Sequence, residues 1–376
     1  MIYKYTTMSE NSTQVQTKPK KIKIKKKNKE LKVGTFFSGI GAFEHALILN
    51  KIPHKIIFAC DIDKFCKTNF LENYKLNEES WYNDINDMDG NKYLNKVDIL
   101  VGGCPCQSFS IAGQRKGLDD LRGQLVFKYI KKIDEIKPNM FIFENVKGLL
   151  SSDKGNTFKL ILEEMEKINY KIEFRTIKAS KVGIPQSRER IFIIGTKKNK
   201  NIKSVFDNFK ECELSLKLKD LLDSDYDENY IIKNPKWQKW IFDQKHLDKQ
   251  KMKINGDIII CQTARQYSSW FGHFIMEMKQ VDDFIYSEDA VKTIERNKFI
   301  PLNYDKDDFD LEYIKNNTIV RRLTPNECLR LMGFDTNKFK TIVSDSQTYK
   351  QCGNSIVVNM FTQILKAIDI PSIISS

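Results

Sequence analysis

The sequence predicts an α/β protein: an open sheet flanked by helices, with a second, smaller domain. Three observations predict it. Apolar runs of strand length alternate with segments of helical period. Each run ends in chemically distinctive residues, SGIG, DID, GGCPC or ENV. Residues 205–318 differ in texture from the rest, being rich in mixed charge and holding Trp237, Trp240 and Trp270. Alternating strands and helices with such residues at the strand ends describe a sheet whose ligands sit outside its carboxyl edge.

A chain of 376 residues with 41% hydrophobic content can bury a core of the size this needs. Eight cysteines, at 60, 66, 104, 106, 212, 261, 328 and 352, are scattered through globular sequence, and no signal-peptide pattern opens the chain. That usage reads as reduced thiols rather than a disulfide framework. No apolar run approaches the roughly 18 residues of a membrane span.

Taken in order, residues 1–31 form a basic leader. Residues 1–32 carry ten lysines against Glu10 and Glu30, a net of +8 out of +13 for the whole chain. Such a segment buries too little apolar surface to fold alone, and is expected to be disordered. Its charge suits non-specific attraction to a polyanion, and suits a solubilising tail or a localisation address equally.

LKVGTFFSGIGAFEHALIL reads as a strand from Val33 to Phe37, a turn over Ser38 to Gly41, and a helix from Ala42. Gly39 and Gly41 let a ligand approach the backbone. Asp61, ending the second run KIIFACDID, follows where such folds place a carboxylate on ribose hydroxyls. Glu44 stands in place of the third glycine of the full nucleotide-binding pattern. The third run, KVDILVGGCP, leads into Cys104 and Cys106. LVFKYIKKIDEI repeats Val126, Ile130 and Ile133 at helical spacing, and NMFIFENV ends in Glu144 and Asn145.

The cysteine pair fits neither a zinc clip nor a thioredoxin-like site, since both require Cys-x-x-Cys spacing and one residue separates these two. A cysteine presented at a strand end, after two glycines and beside a rigid proline, looks like a nucleophile. Local chemistry does not choose between Cys104 and Cys106.

Six blocks in order, SGIGAFE, GGCPCQSFSIAGQRKGLDD followed by RG, ENVKGLL, GIPQSRERIFIIG, RRLTPNECLRLMGF and QCGNSIVVNM, resemble those of the DNA cytosine-C5 methyltransferases. The resemblance covers residues 33 to about 200 and about 319 to 366. It implies a Rossmann-like S-adenosylmethionine-dependent methyltransferase sheet, with residues 32–204 as the catalytic and cofactor-binding domain, 205–318 as an inserted target-recognition domain and 319–376 as the return segment that completes the catalytic domain. The family's Pro-Cys-Gln falls on Pro105, Cys106 and Gln107, which makes Cys106 the nucleophile and Cys104 pocket lining.

The implied chemistry explains the residue types. Carbon 5 of cytosine is a poor nucleophile until a thiolate adds to carbon 6, and the electron density left on ring nitrogen 3 needs a proton donor, the role that Glu144 matches. Arg188 and Arg190 in QSRER, at alternate spacing that on a strand would share one face, are the matching catalytic arginines. For the cofactor, S-adenosyl-L-methionine, the resemblance implies Phe37 on the adenine, Asp61 on the ribose, Asp84 on the adenine amino group, and Asn354 and Ser355 at the methionine end. Gly39, Gly41, Ile62, Ile85, Pro105 and Leu125 complete the set, Ile62 standing where a bulkier ring is common. No metal is implied.

The implied partner is double-stranded DNA, with the cytosine flipped out of the helix. Gln107, Ser108, Ser110, Gly113 and Gln114 match the loop that closes behind the flipped base. QTARQYSS resembles the family's recognition loops, with Thr263, Arg265, Gln266, Tyr267 and Ser268 as contacts; arginine suits guanine and glutamine suits adenine. The expected setting is a bacterial cytoplasm or a virus-infected cell, with a monomer as default and room for a companion restriction endonuclease. Three rivals fit less well. The transfer-RNA branch carries a Cys-Phe-Thr tripeptide absent here, a non-catalytic DNA-binding relative would lack part of the Cys, Glu and Arg set, and a nicotinamide oxidoreductase leaves Cys106, Glu144 and Arg188 without roles.

Overall fold

A computed structural model describes residues 29–105, 123–266, 272–304 and 308–374. Among these, seven strands form one sheet in the order β3-β2-β1-β4-β5-β7-β6. The strands are β1 (Leu31–Phe36), β2 (His54–Cys60), β3 (Trp81–Tyr82), β4 (Ile99–Gly102), β5 (Met140–Val146), β6 (Tyr170–Lys178) and β7 (Glu189–Lys197). Pairing is parallel from β3 through β5, whereas β7 runs antiparallel between β5 and β6.

The central strands are apolar on both faces because both faces are covered. Val33, Ile99, Val101, Met140, Ile142, Phe192 and Ile194 point into one core, shared with the first helix α1 (Ala42–Leu49) and the helix Val358–Ala367. Their neighbours Leu100, Phe141, Phe143, Ile191 and Ile193 point into the other, under helices α3 (Gly123–Ile136) and α4 (Asn156–Lys167). Between α1 and α3 lies α2 (Lys64–Asn73). Val126, Ile130 and Ile133 are all buried, so the helical period of this segment is its core-facing stripe.

The structure departs from the expected pattern in two places. β6 and β7 follow one another with only a short 3-10 turn, Ala179–Lys181, and no α-helix between them, and β6 is an edge strand whose exposed side chains break up any apolar run. The second difference is at Phe37, which leaves β1 and adopts a φ of 55°.

A second sheet of three strands, in the order β10-β9-β8, is built from β8 (Lys253–Ile254), β9 (His273–Met278) and β10 (Thr318–Arg322). It has its own core, including Ile232, Phe242, Met276, Ile294 and Val320. β10, just past residue 318, pairs antiparallel with β9 and so belongs to this sheet, while Val205, Phe209 and Leu218 pack in the large core.

Arg321 holds the small sheet to the helix Pro325–Leu331. It is fully buried, donates to both oxygens of Glu327 at 2.9 Å and to Glu277 at 2.8 Å, and lies over the Tyr226 ring. Among the described residues, no helix is long and apolar enough to cross a membrane.

Candidate active site

β1, β2, β4 and β5 end at one edge of the large sheet, and antiparallel β7 begins there, with Arg190 opposite Val146. Residues far apart in sequence therefore meet. A cavity of about 60 Å³ at this edge is lined by Phe37, Ser38, Gly39, Glu44, Gly103, Glu144, Asn354, Ser355 and Ile356, among others.

The turn after β1 shapes one wall. Gly41, at φ 78°, has no room for a side chain, since a Cβ there would stand 2.1 Å from the Tyr74 ring, whose hydroxyl donates to the Gly41 carbonyl at 2.8 Å. Gly39, at φ 55°, faces open space, with nothing within 4 Å of an added Cβ. Its N–H donates to Asp61 Oδ2 at 2.8 Å, and the Asp63 N–H to Oδ1 at 2.9 Å, fixing the carboxylate beside the turn. Burial raises the Asp61 pKa, and these two N–H groups oppose the rise. Phe37 holds a left-handed backbone rare for a bulky residue, and such strain clusters at ligand sites.

Other expected cofactor residues are placed unevenly. Ile62 is 81% exposed beside Asp61. Asp84 uses Oδ1 to cap the short turn Ile85–Asp87, accepting from the Asn86 N–H at 2.8 Å. The Ile85 side chain is buried in the core rather than facing the cavity, Leu125 packs against that same core, and Pro105 is exposed. Among the described residues, the cavity lining is largely apolar, bears the carboxyls of Glu44 and Glu144, and includes no lysine or arginine. That donor set, with the open space over Gly39, fits a cationic, phosphate-free nucleoside such as S-adenosylmethionine.

At the other end of the cavity stands Glu144. It is 7% exposed, and its Oε1 pairs with Arg190 Nε at 3.0 Å. Burial drives its pKa up, while Arg190 and then Arg188 pull it back. Gly103 makes room for it, since a Cβ there would lie 3.0 Å from Glu144 Oε2. Asn145, to which sequence reasoning gave no role, donates from Nδ2 to the Cys104 carbonyl at 3.3 Å, tying the end of β5 to the segment entering Cys106. Its adjacency to Glu144 in ENV was the available signal. Cys104 is buried in the core.

Glu44 was also without a role, yet it is buried on the cavity wall. It accepts from Thr35 Oγ1 at 3.0 Å, and burial lifts its pKa to about 7.

Arg188 and Arg190 do not act as a pair on one face. Arg188 precedes β7, and its guanidinium is taken up by Gln262, Cys261, Gly353 and Ser355, so that it acts on Glu144 through its charge alone; among the described residues Arg190 is the one that pairs with that carboxylate. In the recognition stretch Thr263 and Arg265 are exposed, whereas Gln266 turns inward and donates to Cys328 Sγ at 3.0 Å. Cys106, Gln107, Ser108, Ser110, Gly113, Gln114, Tyr267 and Ser268 lie outside the described residues, as do leader residues 1–28.

The family of C-5 cytosine-specific DNA methylases matches residues 31–369. The type II methyltransferase M.DsaV of Dactylococcopsis salina is 32% identical over 336 residues, covering 89% of this chain and 85% of that protein. The type II methyltransferase M.HhaI of Haemophilus parahaemolyticus is 31% identical over 328 residues, covering 87% and 91%. Among solved structures, the Entamoeba histolytica methyltransferase EhMeth is similar at a TM-score of 0.65 with 20% identity, covering 90% of this chain and 98% of that one, a likeness of fold.

Proposed function

The chain belongs to the C-5 cytosine-specific DNA methylases and is a DNA cytosine-5 methyltransferase, and from that premise we propose that it methylates a cytosine flipped out of double-stranded DNA through a covalent bond to Cys106. Its fold is the Rossmann-like methyltransferase sheet, and the family is S-adenosylmethionine-dependent in general. Phe37, Gly39, Asp61, Asn354 and Ser355 would hold that cofactor here, with Ile62 and Asp84 toward the adenine. When bound, S-adenosylmethionine supplies an electrophilic methyl.

The observation that carries the reading is Glu144. A carboxyl whose pKa burial raises, oriented by Arg190 at 3.0 Å in the cavity that also holds Phe37, Gly39 and Asn354, is suited to give a proton to ring nitrogen 3. The Cys106 thiolate would add to carbon 6 as that proton arrives, leaving carbon 5 nucleophilic. After methylation, loss of the carbon 5 proton to water and breakage of the sulfur–carbon 6 bond would restore the Cys106 thiolate, and the ring nitrogen 3 proton would return to Glu144. Arg190, held by Glu144 and the Glu189 carbonyl, would meet the cytosine carbonyl oxygen. Thr263, Arg265 and the rest of QTARQYSS would read the target, and Gln107, Ser108, Ser110, Gly113 and Gln114 would close behind the flipped base.

Bisulfite sequencing of plasmid DNA incubated with the protein and cofactor tests the reaction and identifies the target. A duplex with 5-fluorocytosine at that position should trap an adduct, because fluorine does not leave as the proton does. Peptide mass spectrometry should find it on Cys106, and Cys106→Ser should abolish it. An adduct on Cys104 instead would overturn the assignment.

A further inference from the structure

Arg188 joins two segments that the proposed chemistry treats separately. It is 3% exposed, one residue ahead of β7. Nη1 donates to the Gln262 carbonyl at 3.0 Å and to Cys261 Sγ at 3.5 Å. Nη2 donates to the Ser355 carbonyl at 2.6 Å and to the Gly353 carbonyl at 3.2 Å. Two bonds therefore go to the strand of chain that runs into Thr263–Gln266, and two to the segment that brings Asn354 and Ser355 to the cavity. Burial, then the Arg190 charge, lower its pKa, so this cation is kept at a cost for the sake of its bonds.

The same two segments touch directly. A Cβ on Gly353 would stand 2.1 Å from the Thr263 carbonyl carbon and 2.1 Å from the Ala264 nitrogen. Below this contact the recognition segment is fixed to the large unit. Ile259 N donates to the Pro185 carbonyl at 2.9 Å, Ser187 N to the Ile259 carbonyl at 2.9 Å, and Gln262 N to Gln186 Oε1 at 3.2 Å.

We propose that Arg188 is a positioning residue that couples the recognition segment to the cofactor pocket, so that a ligand at either site tightens the other. This rests on the pocket and recognition assignments made under Proposed function. A guanidinium is one rigid plane with donors in a fixed fork. A movement of the Ser355 carbonyl on filling the cavity turns that plane and shifts its hold on Gln262, and the reverse follows by linkage. Arg188 thereby acts through its neighbours, while Arg190 forms the ion pair with Glu144.

Hydrogen exchange on the full chain, with S-adenosylhomocysteine as the probe and no DNA, tests the coupling directly. Amides at 353–356 should slow, and those at 262–266, across the clamp, should slow with them by about threefold or more. In Arg188→Lys, whose ammonium has no fork, protection at 353–356 should persist and protection at 262–266 should vanish. The gain in S-adenosylhomocysteine affinity produced by the bisulfite-identified duplex, expected to be about tenfold in the native protein, should fall toward onefold. Gly353→Ala, which keeps Arg188 but forces the two backbones apart, should show the same loss.

Protection at 353–356 with no change at 262–266 in the native protein overturns the proposal, even where a variant fails to fold. So does a variant that retains both effects. Absence of S-adenosylhomocysteine binding would overturn the pocket assignment, and the coupling with it.

Discussion

Glu44→Gln isolates the effect of burying a carboxyl on the wall of the cofactor cavity. Glu44 is 1% exposed and carries a pKa of about 7 against an ordinary 4.5, with burial the largest cause. For an acid raised in this way the folded state prefers the neutral form. Below pH 4.5 both states are protonated and there is no penalty. As pH rises the unfolded chain ionises first, and the penalty grows until about pH 7, above which it is constant. At 1.36 kcal/mol per tenfold change in proton affinity, it reaches about 3 kcal/mol.

Glutamine keeps the oxygen that accepts from Thr35 Oγ1 and has no charge to bury. The variant should gain about 3 kcal/mol at pH 8 and about 1 kcal/mol at pH 5. With an unfolding entropy of about 2.1 cal/mol/K per residue, a chain of this size should melt about 4 °C higher at pH 8 and about 1 °C higher at pH 5. Thermal unfolding at the two pH values measures this. A stability difference equal at both values, or larger at pH 5, would refute the reasoning, because it would mean that Glu44 is not the group held neutral by folding.

Arg321→Met should cost about 3 to 5 kcal/mol, because it leaves Glu327 and Glu277 without the cation they share, and chemical denaturation checks it. Deleting residues 1–28 should weaken DNA binding and flatten its dependence on salt while the methylated sequence stays the same; the cut stops short of Leu31, which is buried in β1. Arg265→Ala should relax the preference at one base of the target by about 1 to 3 kcal/mol, read as methylation rates across a randomised site library. Glu144→Gln should slow all sites in that library equally.

By itself the sequence determined what depends on neighbours along the chain. β1, its glycine turn and α1 were legible because an apolar run, glycines and a helical period follow one another within twenty residues. Glu144 stood out at the end of a strand buried on both faces, and Asp61 at the end of β2, since strand ends in such a sheet face the ligand edge. The choice of Cys106 over Cys104 came from family resemblance, as local chemistry treated the two alike.

What only the tertiary structure decided is which distant groups share partners. β6 alternates apolar and polar residues from Tyr170 to Arg175, as a strand with two unlike faces does, but its place at the edge of the sheet, beyond antiparallel β7, is set only by the packed strand order. Arg188 and Arg190 look equivalent at alternate positions, yet one is a buried clamp and the other an ion-pair partner, because the acceptors come from residues 261–262 and 353–355 in one case and from Glu144 in the other. Gln266 has the composition of a base reader and is turned toward Cys328. Gly353 owes its identity to the Thr263–Ala264 backbone, a contact between segments ninety residues apart along the chain. Periodicity and turn chemistry act through bonds a few residues long, whereas the burial that raises Glu44 and Glu144 and the hydrogen bonds that hold Arg188 exist only once segments distant along the chain have packed together.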